Sequence, residues 1–128
     1  MQRIPSIYVG KSNLHHRGVF ASRDIEEGTT IEICPVIIIP EKDVPIIDKT
    51  ILHDYYFTWG DEQSEGVIVL GYGSIYNHAV NANADFVMDY EEMTMDFIAN
   101  CYITAGQEIT INYNGEQGNE APVWFEVK

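Results

Sequence analysis

Between Phe86 and Tyr113 the apolar side chains fall into a two-residue rhythm, and this limits the possible folds more than any other feature of the chain. Phe86, Met88 and Tyr90 alternate with polar or smaller residues, Glu91-Glu92 interrupts, and Met95 and Phe97 resume the pattern. Successive side chains of a strand point to opposite faces, so this spacing predicts a β-hairpin. Glu108-Ile109-Thr110-Ile111-Asn112-Tyr113 alternates again after a turn at Tyr102 to Gly106. Upstream, Gly18-Val19-Phe20-Ala21, Val67 to Leu70 and the β-branched stretch Thr29 to Pro40 read as strands, with Pro35 and Pro40 marking edges or bends. Asp24-Ile25-Glu26-Glu27-Gly28 and its near echo Ile103 to Ile109 each read as a turn feeding a strand. Asp48 to Trp59 is expected to form one or two helical turns, Gly60 to Gly66 a polar loop, and Ser74 to Ala84 an irregular segment. No long amphipathic stripe, internal repeat or low-complexity linker occurs. The expectation is one mainly β domain of short strands spanning residues 1–128.

Apolar residues make up 45% of the chain, which places it among globular proteins. The formal charge of −13 disfavours direct nucleic acid binding, because Arg3, Lys11, Arg17 and Arg23 form no evident cluster. A basic, Lys/Arg-rich partner suits that charge, although solubility alone accounts for it too. Cys34 and Cys101 each lie in an apolar stretch without Cys-x-x-Cys spacing, so two buried thiols are expected rather than a disulfide or zinc site. His15 and His16 read as an ordinary turn, and no metal site is expected. The segment MQRIPSIYVGKS lacks the apolar core of a signal peptide, and the run around Val36 to Pro40 is too short to cross a bilayer. A soluble, intracellular protein is therefore expected, cytoplasmic or, in a eukaryote, nuclear, with no membrane partner.

Tyr76-Asn77-His78-Ala79 and the following Asn81 to Ala84 offer an amide and an imidazole to a polar ligand, though a structural turn explains the Asn-rich composition as well. The eight tyrosines can merely cap a core; converging on a channel, their rings and hydroxyls would surround a lysine and favour a cationic methyl donor.

Four motifs occur in the order in which the SET family of protein lysine methyltransferases carries them. Arg17-Gly18-Val19-Phe20-Ala21 with Asp24-Ile25 and Gly28 resembles that family's opening motif. Asp54-Tyr55 with Phe57 is similar to its intermediate tyrosine motif. Leu70 to His78 with Asn83-Ala84 resembles its Asn-His motif, and Gly106 to Tyr113 its closing motif. The resemblance implies a SET-type (β-clip) fold with a C-terminal pseudoknot, a motif core over residues 17–113 and a tail over 114–128. It implies S-adenosylmethionine as cofactor, S-adenosylhomocysteine as product, and the lysine of a basic protein or peptide as substrate. Arg17, Gly18, Asn77 and His78 would bind the cofactor, Tyr113 would be the catalytic tyrosine, and Tyr55 would line the lysine channel with Phe86 beside it. Trp124 and Phe125 would either fold over the adenine or channel, or cover a core edge. Two copies could pair to complete a groove. The chain departs from the family pattern at His16, where Gly is usual, at Ala79, where Ser is common, and at Asn112, where an acid is frequent. His16 and Ala79 keep a second reading open, a non-catalytic peptide-binding module; a methyltransferase for a non-protein substrate is a third.

Overall fold

The computed structural model describes residues 6–60 and 64–114. In chain order the strands among them are β1 (Ile7–Lys11), β2 (Arg17–Ala21), β3 (Thr30–Ile39), β4 (Phe57–Trp59), β5 (Glu65–Val69), β6 (Asn77–His78), β7 (Ala84–Asp89), β8 (Thr94–Ala99) and β9 (Glu108–Ile111). They form a four-stranded sheet of order β1-β2-β9-β6 and a five-stranded sheet of order β4-β5-β3-β8-β7.

The hairpin expected from the alternation is β7 and β8, paired from Ala84↔Ala99 to Asp89↔Thr94. The ten-residue β3 pairs through Thr30–Pro35 with β8 and through Val36–Ile39 with β5. Pro35, which has no N–H to give, stands where one register ends and the other begins, and Pro40 ends the strand. The two echoing turns lie side by side: Ile25 bridges Ile103, and Asp24 accepts from the Ala105 N–H at 2.8 Å and the Tyr102 hydroxyl at 2.7 Å. The core sits between the sheets, with Val19, Ile109 and Ile111 from one, Cys34, Val67, Met95 and Phe97 from the other, and Tyr76 and Ile103 between.

Three expectations need correction. One helical turn, Ile51–Asp54, falls within the expected Asp48 to Trp59, but two more, Glu41–Asp43 and Val44–Ile47, lie upstream of it, with Pro45 in the first turn of the latter. Phe57–Trp59 is instead a strand, because β5 supplies the partner its apolar rings need. Cys34 is buried as expected, but Cys101 is exposed on the turn after β8. Within Ser74 to Ala84, Asn77 and His78 run parallel to Thr110 and Ile111 as a two-residue strand. A segment that short shows no alternation, and neither did β1, which is held by its register with β2.

Candidate active site

The loop between β1 and β2 is wound tightly. The Ser12 N–H donates to the His16 carbonyl at 3.0 Å, and the Leu14 N–H donates to the Ser12 hydroxyl at 2.9 Å. His16 closes the loop with φ of +39°, a backbone region that favours glycine. Its ring stands edge-on to His15, centroids 4.2 Å apart.

Asn77 ties this loop to the rest of the fold. Its Nδ2 donates to the His15 carbonyl (3.1 Å), the Arg17 carbonyl (2.9 Å) and Glu108 Oε2 (2.8 Å). Glu108 accepts on its other oxygen from the Ser12 hydroxyl at 2.7 Å. Glycine is required at position 18 by this cluster, since a Cβ there would stand 2.2 Å from Glu108 Oε2 and 3.0 Å from Asn77 Nδ2. The sequence places Glu108 in the closing motif without giving it a task. Its signal is an acid on a strand whose other residues, Ile109, Thr110 and Ile111, are all buried.

A second set of side chains seats β9 from the opposite edge. The Asn83 Nδ2 donates to the Glu108 carbonyl at 2.9 Å, and its Oδ1 accepts from the Thr110 N–H at 2.9 Å, so one side chain acts as a short strand partner. The Ala79 N–H donates to the Ile111 carbonyl at 3.0 Å, and Asn112 Nδ2 donates to the Val80 carbonyl at 3.2 Å. β9 is thus enclosed by β2 on one side and residues 77–83 on the other.

Tyr113 leaves the end of β9 in a fixed pose. Its N–H donates to His78 Nδ1 at 3.0 Å, and its hydroxyl donates to the Tyr76 carbonyl at 2.6 Å. Phe57 meets the ring edge-on, centroids 5.7 Å apart. Burial, with Tyr55 and Glu108 adding to it, pushes the Tyr113 hydroxyl well above the usual phenol range, so it stays protonated. Burial lowers the His78 pKa, keeping the imidazole neutral and able to accept at Nδ1.

These parts border an open cavity whose walls include His15, His16, Arg17, Asp54, Tyr55, Ser74, Ile75, Asn77 and Tyr113. Arg17, Tyr55, Asn77 and Tyr113 therefore border one cavity. Gly18 lies behind the wall, beneath Glu108, and His78 stands behind Tyr113 rather than on the cavity surface. Phe86 packs on Phe57 at 5.5 Å and does not line the cavity. Trp124 and Phe125 lie outside the described residues. Among the described residues no group of three or more His, Cys, Asp or Glu side chains is placed to hold a metal ion.

The family model of the SET domain matches residues 16–114, which takes in every cavity-lining residue named above except His15. The chain belongs to the SET domain family. It is 30% identical over 111 residues to the histone-lysine N-methyltransferase of Schizosaccharomyces pombe specific for H3 lysine 37, covering 86% of this chain and 70% of that protein. Its structure is similar to that of a candidate histone methyltransferase of Plasmodium falciparum, with a TM-score of 0.67, 31% identity, and coverage of 88% of this chain and 95% of that one. It also resembles a chain of polycomb repressive complex 2 from Chaetomium thermophilum, solved in an autoinhibited conformation bound to S-adenosylmethionine; there the TM-score is 0.71, the identity 25%, and coverage 89% of this SET domain and 16% of that chain. This SET domain is a protein-lysine methyltransferase, of a family that uses S-adenosylmethionine as methyl donor. No helix among its described residues is long and apolar enough to cross a membrane.

Proposed function

We propose that this SET domain holds S-adenosylmethionine on the 15–18 loop against Asn77, with His78 seating Tyr113 from behind, and receives the lysine of a histone or similarly basic protein segment between Tyr55 and Tyr113. The observation that carries this reading is the single cavity bordered by Arg17, Tyr55, Asn77 and Tyr113, contributed by separate parts of the chain. Polar groups collect at the loop and aromatic ones at Tyr55 and Tyr113, which suits a polar cofactor end beside a lysine channel. The Asn77 amide nitrogen is already engaged by three protein acceptors. Its nitrogen orients the cofactor loop, and its Oδ1 is left to accept from a ligand.

Bound there, S-adenosylmethionine supplies a methyl carbon made electrophilic by its sulfonium. The residues of the chain do the rest by placement. A lysine ammonium has no lone pair, and enclosure between Tyr55 and Tyr113 disfavours the charged form, so the amine is delivered neutral. Tyr113 is not a base: its hydroxyl is held protonated and donates to the Tyr76 carbonyl, and it acts by meeting developing positive charge with its oxygen. Alignment of the reacting atoms is then the main source of rate. The formal charge of −13 draws a basic segment toward the domain and makes association weaken as salt rises. An intracellular setting follows from a histone substrate.

Transfer of radiolabelled methyl groups to purified histone H3 tests the reading. Tyr113→Phe is expected to lower kcat by about a hundredfold with little change in melting temperature. Turnover at the wild-type rate would remove Tyr113 from the mechanism.

A further inference from the structure

Tyr76 is fully buried, and both of its ends are anchored. At the backbone end its carbonyl accepts from the Tyr113 hydroxyl at 2.6 Å. At the other end its own hydroxyl donates to Glu32 Oε1 at 2.8 Å. Between them its ring stacks on Phe97, centroids 4.3 Å apart and planes inclined by 21°.

Glu32 is only 8% exposed, and among the described residues no Lys or Arg forms an ion pair with it. Its Oε2 accepts from the Tyr72 N–H at 3.0 Å. The turn that supplies this N–H is shaped around the carboxyl group. Gly71 adopts φ of +65°, and a Cβ there would come within 2.4 Å of Glu32 Oε2. Cys34, two residues along β3, has its thiol pushed far above the usual range by burial and by Glu32 beside it. Burying an acid without a cation is costly, and an apolar side chain would fill the same space at less cost to folding. Packing alone therefore does not account for Glu32, whereas its bonds to the Tyr72 N–H and the Tyr76 hydroxyl do.

We propose that Glu32 is a positioning residue for methyl transfer, acting through the Tyr76 hydroxyl to fix the Tyr76 carbonyl that holds the Tyr113 hydroxyl. The proposal rests on the reading of Tyr113 as the catalytic phenol. With its hydroxyl on Glu32 and its ring on Phe97, Tyr76 cannot pivot, and the carbonyl stays where the Tyr113 hydroxyl needs it. Loss of the Glu32 contact lets the ring settle, the peptide plane before Asn77 tilts, and the phenol oxygen leaves its aligned position. Glu32 touches neither reactant, so binding of cofactor and peptide should survive its replacement.

The test uses the full chain with histone H3 as methyl acceptor and compares Tyr76→Phe, Glu32→Gln, Tyr113→Phe and the double variant Tyr76→Phe/Tyr113→Phe. The first two are expected to lower kcat about tenfold and to leave KM for S-adenosylmethionine and for histone H3 within about twofold. In the Tyr113→Phe background, adding Tyr76→Phe is expected to change kcat by less than about twofold, since no hydroxyl is left to position. A general loosening of the fold would instead compound the two losses, and an equal factor in both backgrounds overturns the proposal. Wild-type kcat in both Tyr76→Phe and Glu32→Gln overturns it too, while a low rate for Tyr113→Phe in that same series would leave the catalytic reading standing. If the double variant turns over too slowly to measure, the ring resonances of Tyr113 in tyrosine-labelled protein decide. They should move in Glu32→Gln and in Tyr76→Phe, and unchanged resonances count against the proposal.

Discussion

In the five-stranded sheet, neighbouring strands are antiparallel and their inner faces meet through Phe57, Val67, Cys34, Met95 and Phe97. Backbone ladders and apolar packing suffice there. In the four-stranded sheet the strand that carries the site, β9, has only two residue pairs with β2 and two with β6. Its place is completed by side chains bonded to backbone: Asn83 on Glu108 and Thr110, Asn112 on Val80, Asn77 on His15 and Arg17. Apart from Glu32, whose bond to Tyr76 reaches toward the site, the first sheet resists unfolding through contacts that carry no geometric instruction beyond fit. The second is specified by directional bonds, and the residues that could touch a ligand stand at their ends. Stability and alignment are in this way largely assigned to different sheets.

That division can be broken by substitution. Met95→Ala empties a fully buried site in the five-stranded sheet and should cost about 3 kcal/mol, while the folded fraction turns over at the wild-type rate. Urea denaturation and kcat measured on one preparation check this, and a kcat loss matching the stability loss would blur the division. Asn83→Ala leaves the Glu108 carbonyl and Thr110 N–H without their side-chain partner and should cost about 2 kcal/mol. Here kcat should fall as well, because Tyr113 follows directly from β9; a stable but fully active variant would contradict the assignment. His16→Gly should relieve the positive φ and raise stability by up to about 1 kcal/mol, read as a higher melting temperature with methylation retained. A lower melting temperature would mean that the edge-on contact with His15 outweighs the backbone strain.

The same division explains how much the sequence discloses. Strand pairing in the five-stranded sheet is visible because β7 and β8 alternate over six residues each and join through a short acidic turn. β4 is not visible within the stretch Asp48 to Trp59, because three residues, Phe57 to Trp59, carry too little period to declare themselves. Asn77 and Tyr113 were legible through motif order, and the cavity brings them together. Glu108, Asn83 and Glu32 were not legible as working groups, because each acts on a residue far away in the chain: 31 positions for Glu108 to Asn77, 25 for Asn83 to Glu108 and 44 for Glu32 to Tyr76. Polar residues that bond locally read as turns, and only the fold reveals which of them bond across it. Cys101 shows the converse, since apolar neighbours in sequence did not bury it.

The position of β9 also bears on how the molecule is made. Glu108 reaches back 96 residues to Ser12, and Ile25 waits for Ile103. During synthesis the hairpin of β7 and β8 can form as soon as it emerges, but β2 keeps an open edge until β9 arrives. Contacts of such long range form slowly, and an open edge invites pairing with other chains. A ribosome product that stops short of Tyr113 would therefore be sticky and inert at once, so methylation begins only when the interval of risk has closed.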